Sequence, residues 1–455
     1  MKHNSLSRRG FLTGSLAACL GSASFAALSS RMQLAMAQTT GGHDYKALVC
    51  IFLFGGNDSY NMIVPTAPSQ YSTYAHVRQG LAVAQGDVLP MTTGAHRYGF
   101  HPSMAPLQQL YNSGQLAVLA NCGALIEPLD KQQYQNRKAL LPPQLFSHND
   151  QQTFVQSLAS DRATTGWGGR AADILQSLNI NQQLSMNISL AGNNIFQSGR
   201  EVLPYSVSGF GVELLNHFDE HSDNPEEVSR AQVFRALLQG ADSHLFQREY
   251  AKIQQRAWAL AGDVKSALDA QAPLHTEFPE SKLATDLAMV ARLISAREAL
   301  DVTRQIYFVG MGDYDTHGDQ ANRQPALFNE LSQGLSAFNN AIAEQGLAEQ
   351  VTAFTLSDFG RTLTSNGDGT DHGWGGHHLI SGGAVAGGKI YGRLPSLELN
   401  SDDDIGEGRL IPTTGIDQYG ATLASWFGLP TADFGNAFPN LANFNQVDLG
   451  FMRSR

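Results

Sequence analysis

Ala47-Leu48-Val49-Cys50-Ile51-Phe52-Leu53-Phe54 is an almost unbroken apolar run, and Gly55-Gly56-Asn57-Asp58 closes it. A strand with one wet face alternates apolar and polar residues, whereas a continuous run of this length reads as a central parallel strand covered on both sides. Outward from it, Pro102 opens a short helix with Met104, Leu107 and Leu110 on one face, stopped near Gly114. Leu116-Ala117-Val118-Leu119-Ala120 reads as the next strand. Residues 305–309 and 351–356 read as two more buried strands, separated by a helix from about Pro325 to Ala348. Strands alternating with helices predict an α/β fold: a doubly wound, mostly parallel sheet flanked by helices, with ligands beyond the carboxyl ends of the strands.

Residues from about 205 to 303 break the alternation and predict a helical insertion. Asn224 is a good N-cap with Pro225 at the first helical position. Phe246, Tyr250, Ile253, Ala257, Leu260 and Val264 then recur at spacings of four and three, the seam of a helix packed on another helix. Leu283, Leu287, Val290 and Leu293 form a second stripe.

The amino terminus points to export. Ser7-Arg8-Arg9-Gly10-Phe11-Leu12 is a twin-arginine signal, and Ala35-Met36-Ala37 is an A-x-A-like cleavage site. Residues 1–37 are therefore expected to be removed after passage through the Tat translocase. That leaves one α/β domain over residues 38–455 in the periplasm or secreted. The mature chain has no run of about 20 apolar residues and so no membrane span. Removal takes away Lys2, Arg8, Arg9 and Arg31 and no acid, moving the formal charge from −11 to −15. Such a surface disfavours nucleic acid and anionic lipid as partners. Cys50 and Cys122 lie in apolar runs and read as small buried hydrophobes, a single disulfide being the alternative.

Carboxylates and imidazoles gather where the strands end. Asp58 follows the first strand, Asp313-Tyr314-Asp315-Thr316-His317 the third, and Ser357-Asp358-Phe359-Gly360-Arg361 the fourth. A glycine-rich loop then carries Asp371-His372-Gly373 and Gly375-Gly376-His377-His378. Because strand ends converge on one crevice, this pattern predicts a hydrolytic metal site. Imidazoles with carboxylates and an open position suit a divalent cation, zinc before others, as one or two ions. His377 and His378 read as loop and strand residues, His101 beside Pro102 as a helix cap, and Asp402-Asp403-Asp404 as a solvated loop.

The twin-arginine start, Phe54-Gly55-Gly56-Asn57-Asp58, Tyr314-Asp315-Thr316-His317-Gly318, Ser357-Asp358-Phe359-Gly360-Arg361 and Asp371-His372-Gly373 together resemble the exported bacterial domain-of-unknown-function family 1501. That family is placed in the alkaline phosphatase-like superfamily with sulfatases. The resemblance implies metal ligands at Asp58, Asp315, His317, Asp358 and His372, with Asp313 as the alternative to Asp315. It also implies a nucleophile at the start of a helix, for which Ser147 in Ser147-His148-Asn149-Asp150 is the candidate. Arg361 is the candidate for gripping the equatorial oxygens of a phosphate or sulfate ester. Phosphatases of this superfamily carry Asp-His where this chain has Asp358-Phe359, so one metal site lacks an imidazole unless His148 or His377 supplies it. The expected activity is hydrolysis of a small anionic ester. A non-catalytic protein binding an envelope protein or glycan on the same fold is the rival.

Overall fold

The computed structural model describes residues 44–453, apart from 95–96, 160–162, 213–217, 219–221 and 240–244. The expected signal, residues 1–37, lies outside the described residues. In chain order the principal strands are β1 (Lys46–Leu53), β2 (Leu116–Gly123), β3 (Asn187–Ser189), β4 (Tyr205–Ser206), β5 (Arg304–Met311) and β6 (Val351–Ser357). They continue with β7 (Arg361–Ser365), β8 (Thr370–His372), β9 (Gly376–Ser381), β10 (Ile390–Tyr391) and β11 (Thr414–Gly415). The central sheet runs β10-β2-β9-β6-β1-β5-β3-β4, with β11 also pairing to β2. Only β9 is antiparallel to its neighbours β2 and β6. β7 and β8 form a separate hairpin.

β1 is buried at every position. Ala47, Val49, Ile51 and Leu53 enter one core while Leu48, Cys50 and Phe52 enter the other, as the period of two demands. The first core is covered by α2 (Ala105–Asn112), α7 (Lys282–Ser295) and α8 (Gln320–Glu344). The second is covered by α3 (His148–Ser157), α4 (Trp167–Leu175) and α9 (Ile416–Phe427). The doubly wound, mostly parallel α/β architecture expected from the strand runs is the one observed. No described helix is long and apolar enough to cross a membrane. Cys50 and Cys122 are both free thiols in the second core.

Two local expectations change. α8 starts at Gln320, with Pro325 inside it, not at its first turn. The early turn is held from outside: Asp319 N and Gln320 N donate to Asp368, and Thr316 Oγ1 donates to Gln320 Oε1. These contacts offset the hydrogen bond that Pro325 cannot make. The second change concerns α6 (Leu245–Asp269), which follows α5 (Pro225–Gln239). Of the expected seam, Val264 is buried and Leu260 packs on the core, but Tyr250 and Ile253 are exposed at 63% and 59%. At 25 residues the helix is about 38 Å long and overhangs the core. Spacing defines a face and is silent on whether anything covers it.

His101 accepts a hydrogen bond from Ser103 N, as a cap should. His377 and His378 are buried in β9, where desolvation drops their pKa values to about 3 and about 4. A free imidazole titrates near 6.5. Both rings therefore contribute stability that is complete above pH 6.5 and is lost as pH falls towards 4. His378 stacks on Tyr419 at 5.7 Å, a place a phenyl ring can take. His378→Phe is expected to reduce the acid destabilisation between pH 7 and pH 4 by on the order of 3 kcal/mol. Urea unfolding at both pH values measures it, and an unchanged difference refutes the assignment.

Candidate metal centre

The carboxyl ends of β1, β5 and β6 open onto one crevice, and close backbone approach draws their loops together. Gly55 has φ +113°, and a Cβ there would lie 2.3 Å from Asp315 N. Gly360 would place a Cβ 2.0 Å from Gly375 O. The β7–β8 hairpin pairs Arg361 with His372 and docks on the loop after β5 through Thr370 N to Thr316 O (3.1 Å) and Asn366 Nδ2 to His317 O (3.0 Å). Residues more than fifty positions apart are thus brought side by side.

Three imidazoles surround the Asp315 carboxylate. His317 Nε2 and His372 Nε2 lie 3.1 and 3.4 Å from Asp315 Oδ1, and His148 Nε2 lies 3.5 Å from Oδ2. The His317 and His372 Nε2 atoms are 2.8 Å apart. Each ring is fixed by an acceptor at its other nitrogen. His148 Nδ1 donates to Asp358 Oδ2 (2.7 Å), His317 Nδ1 to Asp371 Oδ1 (3.0 Å) and His372 Nδ1 to Phe146 O (2.6 Å). These partners assign the Nδ1–H tautomer to all three, leaving three Nε2 lone pairs aimed at a carboxylate that also only accepts. Four such acceptors can face one another only with positive charge between them, whether protons on Nε2 or a metal ion. His148 Nε2 is buried without a hydrogen-bond partner, as a ligand atom would be. One ligand atom from each of His148, Asp315 and His372 falls within 4.8 Å of the others. The residues therefore fit a divalent cation, and an imidazole-rich set suits zinc, copper, iron or nickel.

Protons on the imidazoles and the Arg361 guanidinium compete with a metal ion for the same positions around Asp315. Burial works against the charge of Asp315, but the Arg361 hydrogen bond and the nearby Arg361, His317 and His148 charges hold its pKa below the ordinary carboxylate range. The hydrogen bond to Asp358 raises the pKa of His148. Desolvation, with the neighbouring His148 and Arg361 charges, lowers that of His372. Phe359 lies 4.9 Å from the His148 ring and 4.6 Å from the His372 ring, an apolar wall behind both.

The other expected residues have different places. The Asp58 side chain is fully buried in an ion pair with Arg78 at the end of α1 (Pro68–Arg78), and Gln320 Nε2 donates to the same oxygen. Asp358, equally buried, accepts from Gly55 N, Gln152 Nε2 and His148. Asp313 is exposed, and its carbonyl rather than its carboxylate is engaged, by Arg323. Arg361 is buried, with Nη1 on Gly55 O (3.0 Å) and Asp315 Oδ1 (2.8 Å) and Nε on Thr370 Oγ1 (2.9 Å). It positions a ligand carboxylate, and its donors are already engaged. Ser147 is the N-cap of α3, between Phe146 and His148, and its hydroxyl donates to Asp150 (2.6 Å). His148 enters the cluster as the sequence allowed only by way of compensation for Phe359. Asp403 and Asp404 are engaged by Arg393 and by the Asn400, Gly406 and Gly408 amides.

The family model described as "Protein of unknown function (DUF1501)" matches residues 45–418. This chain belongs to the DUF1501 family. No curated protein matches it. Among solved structures, this DUF1501 chain is similar to the PsFucS1 sulfatase from Pseudoalteromonas sp., with 11% identity, 95% of this chain and 77% of that one covered, and a TM-score of 0.36. BT1596, a 2-O GAG sulfatase, gives 9% identity, 85% and 71% coverage and a TM-score of 0.29. A variant of the alkaline phosphatase PafA gives 11% identity, 70% and 63% coverage and a TM-score of 0.27. Values this low leave the reading of the DUF1501 site to its own geometry.

Arg361→Ala is expected to lower stability by about 3 kcal/mol, because a buried cation's partners lose their charge-assisted bonds. Arg230→Ala, on an exposed helix pair, should change it by less than about 1 kcal/mol. Urea midpoints compare the two directly.

Proposed function

We propose that this protein is an exported metal-dependent hydrolase of phosphate or sulfate esters. The observation that carries the reading is the convergence of the His148, His317 and His372 Nε2 lone pairs on Asp315, with every Nδ1 tied to an outer acceptor. The order of motifs shared with the alkaline phosphatase-like superfamily, and the twin-arginine start, support the substrate class and the export. A divalent cation held by those four residues supplies Lewis acidity toward a phosphoryl or sulfuryl oxygen. Zinc is the first choice for it.

The chain's own residues do the rest. Asp358, Asp371 and the Phe146 carbonyl keep the imidazoles in one tautomer and orientation, as outer partners of metal ligands do. Arg361 fixes the Asp315 carboxylate from the protein side. Ser147, at the amino end of α3, is the proposed nucleophile: as its oxygen bonds to phosphorus or sulfur, its proton passes to Asp150, within hydrogen-bond reach at 2.6 Å. The bond to the ester oxygen breaks and the alcohol leaves with a proton. Water then cleaves the seryl ester to release phosphate or sulfate and restore Ser147. With formal charge near −15 after signal removal, the crevice must attract an anionic substrate through local positive charge. One observation favours the rival reading, a non-catalytic binder of an envelope protein or glycan. Phe359 stands where a second metal would need an imidazole.

The purified mature chain, loaded with zinc, tests the proposal on p-nitrophenyl phosphate, bis-p-nitrophenyl phosphate and p-nitrophenyl sulfate. Turnover is expected on at least one, reduced about 100-fold or more in Asp315→Ala and His372→Ala with unchanged circular dichroism. Ser147→Ala should lose turnover yet keep its metal. Turnover that survives both ligand substitutions refutes the site, and metal binding without turnover on any ester favours the binder.

A further inference from the structure

We infer that the chain holds a single cation, bound by His148, His317, His372 and Asp315, and that the guanidinium of Arg78 takes the place of a second. The inference rests on the metal-dependent reading of the same crevice and settles its stoichiometry. Of the five ligands expected from the sequence, Asp58 and Asp358 are left over after the first set is assembled, and each commits its Oδ2 to protein donors.

Asp58 is already neutralised. Its partner Arg78 is fully buried, and its other donors go to Asn61 Oδ1 (3.1 Å), Thr362 O (3.0 Å) and Leu363 O (3.3 Å), so the guanidinium cannot swing away. Asp58 Oδ2 also accepts from Gln320, while the Asp58 carbonyl accepts from Gln324 Nε2 (3.0 Å). Arg361, a second buried guanidinium, lies close enough for the Asp58 charge to act on it. An ion entering beside Asp58 would face two fixed cations in a low-dielectric interior, where like charges repel far more strongly than in water.

Asp358 serves the first ion instead. Its Oδ2 accepts three hydrogen bonds, and the shortest, at 2.7 Å, orients His148. One oxygen remains without a partner on each carboxylate, Asp58 Oδ1 and Asp358 Oδ1. Two such oxygens with no imidazole make a poor set for a nitrogen-preferring cation, and Phe359 fills the space beside His148 and His372. The positive charge a second ion would contribute is thus built into the polypeptide, and His148 joins the remaining ion.

Zinc titration of the full mature chain, with metal counted by inductively coupled plasma mass spectrometry and ligands counted by X-ray absorption, decides the matter. One zinc per chain with three imidazole scatterers is the expected result. His148→Ala should weaken zinc binding at least tenfold, and Asp358→Asn about 10–100-fold without altering the count. Asp58→Asn should leave the count at one. Two zincs per chain, or a zinc shell with fewer than three imidazoles, overturns the inference while leaving metal dependence intact. No zinc at all refutes the metal-dependent reading itself. The wild-type count and absorption spectrum answer the question even if Asp58→Asn fails to fold.

Discussion

Arg361 ties together the side chains and backbone of three stretches of chain at the mouth of the crevice. Its guanidinium, out of contact with water, reaches the carbonyl of Gly55 after β1, the carboxylate of Asp315 after β5, and Thr370 on the hairpin after β6. Taking a guanidinium out of water costs several kcal/mol, which only well-placed acceptors can offset. The acceptors here come from three loops that also touch through Thr370 N to Thr316 O and Asn366 Nδ2 to His317 O. Asp315 is 44% exposed, and without that anchor its carboxylate would sample solvent rather than face three imidazoles.

The anchor is itself braced from below. Thr370 Oγ1 donates to Gln320 Oε1 at 2.7 Å, Gln320 Nε2 donates to Asp58, and Asp58 is paired with Arg78. A chain of polar contacts therefore runs from the first helix to the crevice, with each member satisfying the next. This explains why α8 begins early despite Pro325. Its first turns carry Gln320 and Gln324, and both are needed inside the network. Networks of this kind are costly to leave half made, so the arrangement specifies one loop geometry.

Much of this was legible in the residue order. The continuous apolar runs of β1, β5 and β6 revealed strands covered on both faces, and the alternation with helices revealed the doubly wound sheet. Asp315, His317 and His372 were singled out by their place at strand ends and in glycine-rich turns, and they do meet. Asp58 and Asp358 were singled out by the same rule, yet they take up an ion pair and an outer hydrogen-bonding position. A carboxylate at a strand end looks the same in sequence whether a cation or an arginine approaches it. Arg78, at the end of a helix with little apolar patterning, carried no signal of its own. Likewise, the stripe on α6 showed a face and nothing about its cover.

Local chemistry in the chain was enough to determine the strands, the α/β class and the supply of imidazoles and carboxylates, because burial on both faces and turn geometry act over a few residues. Which of those carboxylates face the imidazoles, and which are neutralised by guanidinium groups, was decided only by folding. That choice depends on distances of about 3 Å between residues up to three hundred positions apart, and on buried charge that must find a partner wherever the loops bring one. His148 shows the division most plainly: as a letter it opens a helix, and in the folded chain its second nitrogen meets Asp358 while its first turns toward Asp315.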